Sequence, residues 1–116
     1  MNEENAPVVD DAAERREAQQ VACFGIIANT GMARSCFIEA IDLAIAGDIP
    51  AAEAKVGEGD AFFQEAHVAH AQMVTQEAQG QHVPVDILLV HTEDQLMSAE
   101  TFKIVAEKAI LAASRH

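Results

Sequence analysis

An all-α fold, an antiparallel three-helix up-down-up bundle, is what this 116-residue sequence predicts, and three observations carry the prediction. Half the residues are apolar, but alanine dominates that half and Phe is the sole aromatic, a composition suited to close-packed helices rather than to sheets rich in β-branched and aromatic residues. Apolar positions recur at three- and four-residue spacings over long stretches. Gly, Asp and Pro punctuate the chain at two places, dividing it into three helical segments joined by short connections.

The first helix is expected over residues 12–46, after an acidic, polar tail through Asp11 that lacks the apolar content to fold alone. Its apolar face is read as Val21, Phe24, Ile27, Ile38, Ile41 and Ile45. Gly31 interrupts it at a cost of about 1 kcal/mol relative to Ala. Cys23 and Cys36, thirteen residues apart on this one helix, would stand about 20 Å from each other, beyond disulfide reach. Both are read as small core residues.

Gly47-Asp48 followed by Pro50 is a stop and a restart: Gly past a C-terminus, Asp as N-cap, Pro in the first turn. The second helix then runs over residues 50–79 and ends at Gly80. Its core stripe is Phe62, Ala66, Ala69 and Met73, beside a second stripe of Phe63, His67, His70 and Val74. Gly57 and Gly59 weaken its early turns and make them the most mobile part of the helix.

Pro84 is expected in the first turn of a third helix that reaches Ser114. Residues 85–90 read equally as a short buried strand by hydropathy, but Val90, Met97, Ile104 and Leu111 continue every seven residues, which favours helix. Near its start the apolar residues face almost every direction, more than one bundle can cover. A chain this short buries only about two thirds of its unfolded surface alone, so packing against further copies is expected.

Charge excludes several function classes. Nineteen acids against seven Lys and Arg give −12, the wrong sign for nucleic-acid backbones or anionic membrane surfaces. The N-terminus has neither a basic start nor an apolar centre, and no uninterrupted apolar run approaches the ~20 residues of a membrane span. A cytoplasmic protein without direct membrane insertion is expected.

Ile87, His91, Asp94, Ser98, Thr101 and Val105 fall on one stripe of the third helix, polar in the middle and aliphatic at its ends. Imidazole and carboxylate placed together on such a face require partners: each other, a cation or a transferred group. Imidazole is nucleophilic when neutral, titrates near neutrality and forms a phosphorus–nitrogen bond of high transfer potential. Taken alone, a single helical His or Asp is more often structural. Two further imidazoles, His67 and His70, have a spacing found in metal sites but no third donor on their face, and are read as packing residues. Arg34 either orients an anion or pairs with an acid. Gly57-x-Gly59 follows no strand and is no phosphate loop.

The segment His91-Thr92-Glu93-Asp94-Gln95-Leu96-Met97 resembles the HxxDxLM signature of lactose/cellobiose-type enzyme IIA components of the bacterial sugar phosphotransferase system. Gly31-Met32-Ala33-Arg34-Ser35 is similar to that family's GxARS segment, Gly47-Asp48 to its first turn, Glu65-Ala66-His67 to its EAH, and Glu77-Ala78 with Gly80 to its second turn. The resemblance covers residues 20–112. It implies a homotrimer in which His91 accepts phosphate from phospho-HPr and passes it to a cysteine of enzyme IIB. His67 lines the site, and three copies of Asp94 share a divalent cation, Mg²⁺ by ligand chemistry. The chain departs from the family where Gln95 replaces the usual His and His70-Ala71 the usual Gln-Thr. Gln95 can still donate to phosphate without carrying charge, and His70 is a candidate for the missing imidazole. Two other readings stay open: a histidine phosphotransfer domain of two-component signalling, though acids and amides surround His91 where that class has a base, and a non-catalytic metal-binding or scaffold trimer.

Overall fold

The computed structural model describes residues 11–115 and contains three helices, α1 (Asp11–Ile45), α2 (Ile49–Ala78) and α3 (Ile87–Ala113), with no strand among the described residues. The expected tail lies outside these residues, except Asp11, which already opens α1.

Both connections follow local chemistry. Gly47 adopts φ 87° and Gly80 φ 84°, left-handed values that glycine accepts without a Cβ penalty. The Asp48 carboxylate accepts from Ala51 N–H at 3.2 Å and Pro50 occupies the first turn of α2, as the sequence predicts. The start of α3 differs from expectation. Pro84 stays outside the helix, and Asp86 is the N-cap, its carboxylate accepting from Leu89 N–H at 2.8 Å. A side chain that satisfies an orphan amide decides the boundary over a proline that merely tolerates one.

Contacts between α1 and α2 run in opposite sequence directions: Lys55 pairs with Glu39 at 3.3 Å, and Gly59 abuts Cys36 and Phe37. Those between α2 and α3 do the same, Asp60 meeting Lys103 and His70 meeting Glu93. Between α1 and α3 they run in the same direction, Gln19 reaching Pro84 and Arg34 reaching Phe102.

The core face of α1 is not the one its large apolar residues mark. The buried positions are Cys23, Ile26, Thr30, Ala33, Cys36, Phe37, Ala40 and Ala44, while Phe24 is 62% and Ile45 78% exposed. Apart from Ile26 and Phe37 the buried residues are small, because α1 packs on both other helices at close range, where Ala and Cys fit and a face of large side chains would hold the backbones apart. Both cysteines are buried and free. By length and composition α1 is also apolar enough to cross a membrane, which counting uninterrupted runs had missed; here its buried face forms the core with α2 and α3.

Gly59 corrects a second expectation. It is buried, and a Cβ there would stand 2.7 Å from Phe37 Cε1 and 2.9 Å from Cys36 Cβ. It is the close-approach point of α1 and α2 rather than a weak spot, whereas Gly57 is exposed with open space around it. Besides Gly59, the buried residues of α2 are Ala52, Phe63, Ala66 and Met73, and Phe62 and Ala69 are only partly buried.

Candidate functional site

The rotation of α3 is fixed from beneath. Leu89, Thr92, Leu96 and Ala99 are buried, and Thr92, wholly enclosed, donates its hydroxyl proton to Leu88 O at 2.7 Å, so no polar group is stranded in the core. Ahead of the helix, Gln19 Nε2 donates to Pro84 O at 2.9 Å and Val83 is buried. These contacts tie the leading loop to α1. With the rows of buried side chains facing inward, His91 and Asp94 are left exposed and Gln95 half-buried.

Helical geometry then sorts the candidate residues by flank. Phe102, which receives Arg34 of α1 over its ring at 5.4 Å, marks the α1 side of α3. His91 and Gln95 lie within about 40° of it around the helix. Glu93 is about 200° from His91 and faces α2, where its Oε1 accepts from His70 Nε2 at 2.6 Å. Asp94 falls between the two flanks, on the outer face. His91, Gln95 and Asp94 therefore form one exposed neighbourhood.

His67 and His70 belong to the other side. His70 is engaged by Glu93, and exposed His67 stacks on Phe63 with ring centroids 6.2 Å apart, lining a shallow groove of about 430 Å³ with Val68, Ala71, Gln72 and Thr75. Within one chain α3 stands between these imidazoles and His91. Sequence reasoning grouped all three histidines by chemistry and missed Glu93, whose offset within the signature was the available sign that it faces away from His91.

An apolar surround accompanies the exposed polar residues. Ile87 is 85% and Met97 65% exposed, and Val90, Ile104 and Leu111 of the seven-residue repeat are exposed too. Among the described residues no group of three His, Cys, Asp or Glu side chains is placed to hold a metal ion. Asp94 therefore offers one carboxylate per chain.

Fold and site together define a class: an all-helical subunit whose third helix presents an open histidine beside an amide and a carboxylate. Residues 21–113 match the family described as the lactose/cellobiose-specific IIA subunit of the phosphotransferase system. The lactose-specific EIIA component of Staphylococcus aureus strain N315 is 39% identical over 88 residues, spanning 76% of this chain and 85% of that one. The cellobiose-specific EIIA component of Lactococcus lactis subsp. lactis strain IL1403 is 35% identical over 86 residues, 74% of each chain. Among solved structures, PtcA from S. mutans superposes with a TM-score of 0.82 at 34% identity, covering 84% of this chain and 96% of its own. The cellobiose-specific enzyme IIA from Bacillus anthracis gives 0.77 at 31%, over 81% and 86%. The chain belongs to the lactose/cellobiose-specific IIA family, whose members are phosphoryl carriers in sugar uptake.

Proposed function

We propose that this protein, as a cytoplasmic up-down-up antiparallel bundle assembled into a homotrimer, accepts a phosphoryl group from phospho-HPr on His91 and passes it to the cysteine of an enzyme IIB. The observation that carries the reading is the exposure of His91, in the family's signature, on a helix whose rotation the core fixes. A neutral ring nitrogen of His91 attacks phosphorus in line; the phosphorus–nitrogen bond to the donor histidine breaks as the one to His91 forms. In the second transfer a thiolate attacks and the phosphorus–nitrogen bond to His91 breaks, its electron pair returning to the imidazole. Gln95, one turn along α3, is placed to donate a hydrogen bond to the phosphoryl oxygens.

His67 and His70 act as supporting residues, and since α3 separates them from His91 within a chain, they reach it from a neighbouring copy. The exposed apolar row of α3 supports that assembly, because burying it removes several large side chains from water. A metal ion fits only between copies: one exposed Asp94 is no site, but three converging on an axis form an oxygen-donor set suited to Mg²⁺ completed by water. Such an ion would offset two of the three carboxylate charges, and no transfer step passes through it.

Incubation with phosphoenolpyruvate, enzyme I and HPr tests the proposal. It is expected to place acid-labile label on the wild type and none on His91→Ala, whose helicity stays unchanged. Labelling of His91→Ala at the normal rate would overturn the assignment.

A further inference from the structure

Among the described residues of this chain of charge −12, Arg15, Arg16, Lys108 and Arg115 lack an ion pair but are exposed, whereas Arg34 lacks one while half-buried. It stacks over Phe102 at 5.4 Å, half-buried in the seam between α1 and α3, and makes no ion pair with any described residue. By contrast, Lys55 pairs with Glu39 and Glu58, and Lys103 with Asp60. A guanidinium stacked on an aromatic face keeps its in-plane N–H groups directed outward, a fork matched to a carboxylate. The phosphoryl group is not its ligand within one chain: Phe102 lies eleven residues beyond His91, about 16 Å along α3.

We infer that Arg34 receives the Glu100 carboxylate of a neighbouring copy, an inter-subunit ion pair that sets the register of the assembly. This inference rests on the threefold reading above. Rotation about an axis lined by Asp94 keeps every residue at its own height and apposes the α1-side flank of one α3 to the α2-side flank of the next. Arg34 sits at the height of Phe102. Glu100 lies two residues away, about 3 Å in height, and about 200° around α3 from Phe102, on the opposing flank. It is exposed and has no hydrogen bond or ion pair to a described residue. Charge complementarity also singles out a second copy as the occupant, since an assembly of chains this acidic gains most by apposing its few free cations to its many free acids.

Charge reversal tests the pair across copies. Arg34→Glu and Glu100→Arg, each alone, are expected to raise the concentration for half-dissociation of the trimer about tenfold or more. The double variant should recover most of that loss, and an equimolar mixture of the two single variants part of it, since a mixed ring of three holds two oppositely charged contacts and one like-charged one. Recovery on mixing can come only from a contact between chains. Far-UV circular dichroism reports folding; if a reversal unfolds the chain, the neutral pair Arg34→Gln and Glu100→Gln replaces it in a double-mutant cycle, where non-additive losses are expected and additive ones would overturn the pairing. A wild type that is not a trimer removes the threefold reading. A trimeric wild type whose dissociation is unmoved by the single reversals, or unrestored by the double, removes the Arg34–Glu100 contact alone.

Discussion

The imidazole of His70 is held by the carboxylate of Glu93, Nε2 to Oε1 at 2.6 Å across the seam of α2 and α3, while His91, two residues before Glu93, faces the other flank. One three-residue stretch of α3 thus serves two tasks: a carboxylate that locks the second helix in register and an imidazole left open. The pair is partly exposed, so its net contribution is about 1 kcal/mol. His70→Ala is expected to lower the unfolding free energy by that amount in urea titration, with acceptance of phosphate at His91 slowed at most. Loss of labelling in a well-folded His70→Ala would place the nucleophile or an obligatory proton carrier at His70 instead.

Two glycines of α2, two residues apart, should respond with opposite sign. Gly57→Ala adds a methyl to open space in a helix and should stabilise by about 0.5–1 kcal/mol. Gly59→Ala gains the same propensity but drives a Cβ to 2.7 Å from the enclosed Phe37 ring and 2.9 Å from Cys36 Cβ. Overpacking costs about 1–3 kcal/mol, so the net effect should be a loss. Thermal unfolding of the two variants beside wild type checks the pair, and a stabilised Gly59→Ala would show that α1 and α2 can separate at no cost.

Asp60 supplies a pH-dependent test. The hydrogen bond from Lys103, at 2.5 Å, holds its carboxyl below the ordinary 3.8, against partial burial and with help from Gln64. A carboxyl depressed on folding contributes stability above its unfolded value and loses it as pH falls through the folded one. Lys103→Met keeps an aliphatic stem beside Phe63 and removes the charge. Wild type should exceed the variant in stability by about 0.5–1 kcal/mol at pH 7, the gap closing as pH drops below 3.8. A gap of equal size at both ends would mean that Lys103 acts by packing and its contact with the Phe63 ring at 5.7 Å.

Much of this was legible in the sequence for local reasons. Gly47, Pro50 and Gly80 act through their own backbone and Asp48 through a side chain that reaches only three residues on, and the structure uses each as its chemistry dictates. Global facts were not legible. Hydropathy ranks Phe24 and Ile45 above Ala33 and Ala40, yet the close approach of three helices selects the small residues for the core. The Pro84 signal alone places the start of α3 too early, because the Asp86 carboxylate, which caps Leu89 N–H, sets the boundary. At the candidate site, the HxxDxLM letters single out His91 and Asp94 as candidates, but the pairing of His70 with Glu93 depends on the register of α2 against α3, which no single segment encodes.

Asp94 carries the sharpest test of the proposed assembly. It is exposed in one chain, on the outer face of α3 between the flanks of His91 and Glu93, with the apolar side chains of Ile87 and Met97 exposed near it. If three copies bring those surfaces together, three carboxylates converge in a poorly solvated interior, where they repel unless a cation or protonation relieves them. Asp94→Leu removes the repulsion and adds apolar volume, so its trimer should persist without metal and match or exceed the stability of wild type. Wild type should melt at lower temperature after chelation and recover on adding Mg²⁺, since an ion that binds only the assembled state stabilises it by mass action. The melting temperature of each protein, with and without chelator, together with its mass by light scattering, checks both halves of the argument. A chelator effect that persists in Asp94→Leu would place the ion at other residues. Dissociation of the variant to monomers of 12.4 kDa would mean that the axial carboxylates and their ion, rather than the apolar row of α3, hold the copies together.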